Sequence, residues 1–403
     1  MLLLPALLAW AAARAVAAPT SSPKPQLKGI IKGQRKLTFD AAGNFKVVSF
    51  SDMHFGERPG DGSWAAWGPE HIMQDAATQK VHGAVLDHEK PDYVVFNGDI
   101  ITGENVFAFN ATGYLDQAYA PTVARKIPFS VAHGNHDNAN NINHQIEIEY
   151  EQATYSELSY TRSDVGPKPY GSGNYWVPVY AHRKAVVPAL IMWFFDSRAF
   201  VSGTGNGPGP VPDAANYYWV DPETVPAYMK EQRELMSKTW GKVPPALIFV
   251  HIPVQKAQPL ASLPSAGDHD DEPNPSAQGF LNNTYTGLDL PFWNEIIALS
   301  NQPAGNVLAV TSGHDHGESW CARSLNISAS IPICFNGHSG YGGYVTKNSA
   351  LRNGRVFALN LRDLGVTSDG AAKIPVVKTW NSYEDGTTAE EVVLGPDYMK
   401  EFN

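Results

Sequence analysis

Cysteine is scarce in this chain: 403 residues hold only two, Cys321 and Cys334, so no thiolate-rich metal site can be built. Charge is thin as well, at 17% against 43% apolar residues, a balance that supplies a core and excludes a disordered chain. Positive charge is in deficit, with 30 Lys and Arg against 40 Asp and Glu, for a net of −10 and a pI near 5.7. No nucleic-acid partner is therefore expected, although a local metal-lined cleft stays open. Beyond the first residues no apolar run approaches the roughly 18 needed to cross a bilayer, so no stable membrane span is expected. There is no glycine or proline tract and no internal repeat. The 35 Gly and 30 Pro are spread along the chain, as in a loop-rich globular protein. At roughly 100–200 residues per domain the length allows two or three domains, or one enzyme core with long loops.

Residues 1–18 read as a secretory signal peptide. Met1–Ala13 is apolar and Ala15-Val16-Ala17 offers a small-residue cleavage site, though no Lys or Arg precedes the apolar run. Glycosylation acceptors at Asn110, Asn282 and Asn326 agree with a secreted or secretory-lumen location. In an oxidising compartment Cys321 and Cys334, 13 residues apart, would form a local disulfide; two buried thiols are the alternative.

Five short β-branched or aromatic runs each stop in a polar cluster. Phe45–Phe50 runs into Ser51-Asp52-Met53-His54, Tyr93–Phe96 into Asn97-Gly98-Asp99, and Phe129–Ala132 into His133-Gly134-Asn135-His136-Asp137. Ala246–Val250 ends at His251, and Asn306–Val310 leads to Gly313-His314-Asp315-His316. Such runs predict buried strands, with helices between them over Glu70–Glu89 and Pro222–Thr239. Near-continuous apolar strands imply sheets covered on both faces, and in α/β architectures ligands gather beyond the carboxyl ends of strands. The repetition points to one shared site, and one catalytic domain fits better than several.

Asp52, His54, Asp99, Asn135, His251, His314 and His316 together offer carboxylate, imidazole and amide oxygen, a donor set for Fe, Zn or Mn. Seven candidates exceed the needs of one ion. If Asp99 bridges, they divide into two sets of four, matching a binuclear centre suited to phosphoryl transfer.

Asp52-x-His54, Gly98-Asp99, Gly134-Asn135-His136-Asp137, His251 after a strand, and Gly313-His314-x-His316 follow one another over about 265 residues. In that order they resemble the calcineurin-like metallophosphoesterases. The resemblance implies an α/β fold of two mixed β-sheets packed as a sandwich flanked by helices. It places Asp52, His54 and His316 on one metal, Asn135, His251 and His314 on the other, and Asp99 between them. It makes His136 the catalytic group beside the substrate and Asp137 the acid that orients it. The run Cys334–Tyr344, with His251-Ile252-Pro253, is similar to the small purple-acid-phosphatase-like proteins of fungi and plants. Purple enzymes carry a Tyr three residues after the bridging Asp; here that position is Thr102, so no tyrosinate chromophore is expected and the metal pair stays open. The domain reading is a signal peptide over 1–18, an N-terminal segment with a hairpin over 19–44, the phosphoesterase domain over 45–345, and a C-terminal strand and tail on the same domain over 346–403.

Other features have plainer readings. His133 reads as a strand-end side chain. His338, in a Gly-rich stretch, is a candidate substrate contact or part of a turn. Asp268–Glu272 reads as a solvated acidic loop, Gly203–Pro212 as a lid or a surface loop, and Asn138–His144 as a helix cap or cleft lining. The expected protein is a secreted binuclear metal-dependent phosphoesterase with a phosphoester substrate, cleaving phosphomonoesters by attack of a metal-bridging hydroxide. A phosphodiesterase on the same scaffold and a non-catalytic metal-binding protein are the alternatives. No protein partner can be inferred.

Overall fold

The apolar runs become strands that meet in two sheets. In the computed structural model the described residues are 25–57, 74–138, 142–166, 171–198, 218–262, 267–271, 277–281, 283–301, 307–323, 330–344, 346, 351–365 and 374–399. The readings for residues 1–18, Asn282, Asn326 and Gly203–Pro212 lie outside them.

One sheet has six strands, in the order β15 (Thr388–Leu394), β14 (Val377–Tyr383), β13 (Asn353–Asn360), β2 (Asn44–Phe50), β3 (Tyr93–Phe96), β4 (Phe129–Val131). Strands β2, β3 and β4 run parallel, and β13 is antiparallel to β2. The other sheet has seven: β1 (Leu37–Thr38), β5 (Tyr175–Tyr180), β6 (Pro188–Phe195), β7 (Ala246–Val250), β10 (Val307–Ser312), β12 (Pro332–Phe335), β11 (Cys321–Arg323). Its strands β6, β7, β10 and β12 are parallel. A small hairpin pairs β8 (Phe280–Leu281) with β9 (Thr284–Tyr285). The mixed two-sheet architecture is the one expected. The stretch after residue 361, which shows no chemical signal, supplies two further strands of the six-stranded sheet.

The central strands β3, β6, β7 and β10 bury both faces, which is why they are almost wholly apolar, while the outer strand β15 has exposed positions. Phe45, Val47, Tyr93 and Val95 of one sheet meet Val179, Met192, Phe194 and Phe249 of the other in the inner core. Outside the six-stranded sheet lie α1 (Gln74–Glu89) and α2 (Ala111–Ala124). The buried positions of α1, among them Thr78, Val81, His82, Val85 and Leu86, recur at helical spacing and form one stripe. Outside the seven-stranded sheet lie α4 (Thr224–Trp240) and α5 (Leu290–Ser300), whose Tyr228, Met229, Phe292 and Ile296 cover Trp193 and Phe195. Helix α3 (His144–Thr154) starts at Asn143, whose side chain accepts from Ile146 N, so this polar stretch does cap a helix. Cys321 and Cys334 face each other across β11 and β12 and are joined as a disulfide.

One buried cation ties the two sheets together at the end nearest the polar strand ends. Arg355 of β13 is 1% exposed, donates from Nε to Phe335 O at 2.6 Å and from Nη1 to Thr379 Oγ1 at 3.1 Å, and reaches Ser319 O with Nη2. Glu390 Oε2 of β15 lies 3.8 Å away as its counter-charge. Removing one partner of such a group strands the others, at a cost of about 3–5 kcal/mol. Arg355→Met is expected to lose about that much stability in urea unfolding; a loss under about 1 kcal/mol would show that the sheets do not depend on this residue.

Candidate metal centre

The seven candidate ligands leave both sheets at their carboxyl ends. Asp52, His54, Asp99 and Asn135 follow β2, β3 and β4, while His251, His314 and His316 follow β7 and β10. The site therefore sits where the two sheets meet. Ligand atoms of Asp52, His54 and His316 all lie within 4.8 Å of one another, and so do those of Asp99, His251 and His314. The two groups touch through Asp99, whose Oδ2 is 3.0 Å from His251 Nε2 and 3.8 Å from His54 Nε2. Asn135 carries a buried Oδ1 with no hydrogen-bond partner.

The backbone is bent to achieve this. Asp52, His54, Asp99 and His314 all have positive φ, at 56°, 49°, 50° and 75°. Such conformations cost on the order of 1–3 kcal/mol each and persist only where surrounding contacts over-determine them. Here Met53 N and His54 N both donate to Asp99 O, at 2.8 and 3.0 Å, and His314 N donates to the Asp52 carboxylate at 3.1 Å. Two glycines are required by crowding. A Cβ at Gly98 would fall 2.3 Å from the His251 ring, and one at Gly134 would fall 2.2 Å from Asp99 Oδ1.

The donor chemistry fits metal ions. His251 Nδ1 lies 2.8 Å from Asn97 O, and His316 Nδ1 lies 2.7 Å from Tyr344 O. A carbonyl only accepts, so each Nδ1 carries the hydrogen and each neutral ring presents a bare lone pair at Nε2. Those lone pairs point at carboxylates and at each other. His251 Nε2 faces Asp99, His316 Nε2 is 3.5 Å from Asp52 Oδ1, and His54 Nε2 is 3.2 Å from His316 Nε2. Such an arrangement is repulsive unless cations lie between. Without metal a proton would serve: burial opposes charge on His251, yet Asp99 and Asp52 outweigh it and lift the imidazole to about 10. Thr102 Oγ1 sits 3.1 Å from His54 Nδ1, so the residue standing where purple enzymes have Tyr supports a ligand from behind.

Three readings change. Asp137 does not orient His136: its Oδ1 accepts from Ile100 N and Ile101 N, and its Oδ2 from Gly134 N, all backbone donors of the ligand loops. The carboxylate on the His136 ring is Glu104, with Oε1 2.5 Å from Nδ1. Spacing gave no signal for it, since it lies in a loop after β3. His338 is not at the substrate side. It is 2% exposed, its ring lies 4.1 Å from that of His316 at a tilt of 38°, and its Nε2 is 2.9 Å from Gly342 O. Its Gly-rich stretch clamps the Asp52 turn, with Ser339 N donating to Ser51 O at 3.0 Å and Gly340 N to Asp52 O at 3.2 Å. The acidic loop, half-buried over its described residues 268–271, is tied to the site and not merely solvated: Asp271 N donates to Glu318 Oε1 at 2.9 Å, and the Asp271 carboxylate takes the hydroxyl of Tyr344, which stacks on His316.

Behind the 133–137 turn lies a layer of buried ionisable groups, unmarked by any motif. His133 is a buried strand-end side chain 3.4 Å from Glu147 and stacked on His144. His144 links Asp196 Oδ2 to Gly134 O, at 2.8 Å each. Below them Glu151 accepts from Tyr119 Oη and Ser159 Oγ, both at 2.9 Å.

A family model described as calcineurin-like phosphoesterase matches residues 45–339. Phosphatase DCR2 of Saccharomyces cerevisiae is 27% identical over 367 residues, covering 89% of this chain and 59% of the yeast protein, so the chain spans less than two thirds of that relative. Probable inactive purple acid phosphatase 29 of Arabidopsis thaliana is 26% identical over 376 residues, covering 87% of this chain and 85% of that one. A dimetal phosphatase from Danio rerio shares the fold, with a TM-score of 0.51 and 12% identity over 87% of this chain and 98% of that one.

The two clusters make metal content testable. Chelation is expected to remove two ions per chain, one for each cluster, and to lower Tm, with added zinc or manganese restoring it. Binding at 100-fold above Kd contributes about 2.7 kcal/mol per site. His251→Ala should leave no more than one ion by elemental analysis, and retention of both would count against this centre. A second expectation concerns pH. Burial lifts Glu151 from 4.5 to about 7, against its hydrogen bonds, so it is protonated when folded and ionised when unfolded. Its contribution is complete below pH 4.5 and is lost as pH rises through about 7. Glu151→Gln should thus gain on the wild type by up to about 3 kcal/mol between pH 4.5 and 8 in urea titrations, and a pH-independent difference would refute this assignment.

Proposed function

The chain belongs to the calcineurin-like phosphoesterase family, and we propose that it is a secreted, binuclear metal-dependent phosphoesterase acting on phosphomonoesters. The observation that carries the reading is the convergence of two ligand triads on one shared carboxylate, Asp99, at the junction of the sheets. Asp52, His54 and His316 would hold one ion, and Asn135, His251 and His314 the other, with Asp99 between them. Bound there, the ions would lower the pKa of a shared water and oppose charge on the phosphoryl oxygens.

The chain's own groups do the rest. His136 borders the ligands, its ring 5.2 Å from that of His54, and its backbone N–H donates to Asp99 Oδ1 at 2.8 Å. With Nδ1 engaged by Glu104, Nε2 is the atom that gives a proton to the departing oxygen. In the hydrolysis a water oxygen bonds to phosphorus and the P–O bond to the alcohol breaks. His136 Nε2 protonates the departing oxygen as that bond breaks, giving the alcohol, and the proton lost by the water restores His136.

Plant relatives are named probable inactive phosphatases, which describes those proteins. Turnover here is supported by the complete donor set and by His136 beside it. Secretion is supported by the apolar start of the chain and by the acceptor at Asn110, half-exposed at the start of α2. Among the described residues no helix is long and apolar enough to cross a membrane.

The deciding experiment is turnover of p-nitrophenyl phosphate and its bis-ester by the metal-loaded wild type and His136→Ala. Preference for the monoester and a loss of about 10²-fold or more in the variant are expected. Preference for the bis-ester would make the protein a phosphodiesterase with the same residues. No turnover with both ions bound would leave a metal-binding protein.

A further inference from the structure

We infer that Glu104 is the positioning residue of His136, holding the ring so that Nε2 faces the departing oxygen. This deepens the phosphoesterase reading and rests on it. Three successive residues after β3 act on the site. Thr102 contacts His54 Nδ1 at 3.1 Å, Gly103 N donates to His136 O at 2.9 Å, and Glu104 Oε1 lies 2.5 Å from His136 Nδ1. His136 is thus held at both backbone and ring by one short turn, while its own N–H is taken by Asp99 Oδ1.

Asp137 and Asp99, the acids of the neighbouring turns, are engaged elsewhere. Both Asp137 oxygens are committed to backbone donors, and Asp99 Oδ1 is committed to His136 N. A carboxylate on Nδ1 fixes the tautomer and the ring plane, and it stabilises the imidazolium that donates from Nε2. The pair is partly open, with side chains 15% and 29% exposed, as befits groups at the mouth of a site instead of a buried structural pair. During turnover Nδ1–H stays with Glu104, only the Nε2 proton moves to the alcohol, and water restores it.

The test compares Glu104→Ala, Glu104→Gln and Glu104→Asp on two monoesters. Phenyl phosphate has a poor leaving group that needs the proton, while p-nitrophenyl phosphate needs it less. Glu104→Ala should lose about 10-fold or more in kcat on phenyl phosphate, less on the nitrophenyl ester, with KM and metal content unchanged. Glu104→Gln, which can still accept from Nδ1–H, and Glu104→Asp should recover part of the loss. In a His136→Ala background Glu104→Ala should add nothing. Equal losses on both esters, loss of metal, or a full additional loss in that background would overturn the assignment. Imidazole ¹⁵N spectra of the zinc-loaded protein separate this inference from the reading beneath it. A His136 Nδ1–H signal shifted by Glu104→Ala supports the pairing even if no phosphoester is cleaved, and its absence from the wild type refutes the pairing even if one is.

Discussion

Two carboxylates, Asp52 and Asp99, are buried together with the imidazoles of His54, His251 and His316 and the half-buried His314, and that concentration of uncompensated charge governs the rest of the structure. Burial penalises each carboxylate, and only nearby positive charge keeps them ionised. Cations between the ligand atoms meet the requirement, and the surrounding backbone is shaped to hold the ligands around them. Positive φ at four ligand positions, missing Cβ atoms at Gly98 and Gly134, and carbonyls behind His251 and His316 all serve to bring Nε2 and carboxylate oxygens into one volume.

A sandwich suits this task because its two sheets can each send parallel strands to the same end. Neither sheet holds a full ligand set: the six-stranded one supplies Asp52, His54, Asp99 and Asn135, and the seven-stranded one supplies His251, His314 and His316. The centre therefore exists only when the sheets keep their relative position. The inner core of Phe45, Val47, Phe194 and Phe249 holds them by area, and Arg355 holds them by direct bonds near the site. Strands β14 and β15 extend the sheet that carries this arginine, which gives the C-terminal segment a mechanical link to the chemistry.

Support for the ligands is layered. His338 and Tyr344 pack on His316, and Asp271 in turn holds Tyr344. On the opposite side Asp137 gathers the amides of Ile100, Ile101 and Gly134, and His144 takes the Gly134 carbonyl. His136 lies between these supports, facing outward and paired with Glu104, so the one group that must exchange a proton is also among the least enclosed.

The strand ends were readable without a structure because they are local: an apolar run that stops at Asp, His or Asn states both where a strand ends and which donors stand there. From five such ends came the donor chemistry, the residues of two candidate metal clusters, the family and the strand positions, several to within a residue, as at Ala246–Val250. Strands β5, β6, β14 and β15 went unread in the sequence; β6 runs into Asp196-Ser197, and Asp196 pairs with His144 behind the site. What only the tertiary structure decided is which side chain meets which. Asp137 stands next to His136 in sequence yet points at three amides, while Glu104, 32 residues away, reaches the ring. His338 went behind the site and the acidic loop packed against it for the same reason. Residue type and spacing report what a position can offer. The direction of a side chain leaving a loop is set by turn geometry and by contacts with segments distant along the chain.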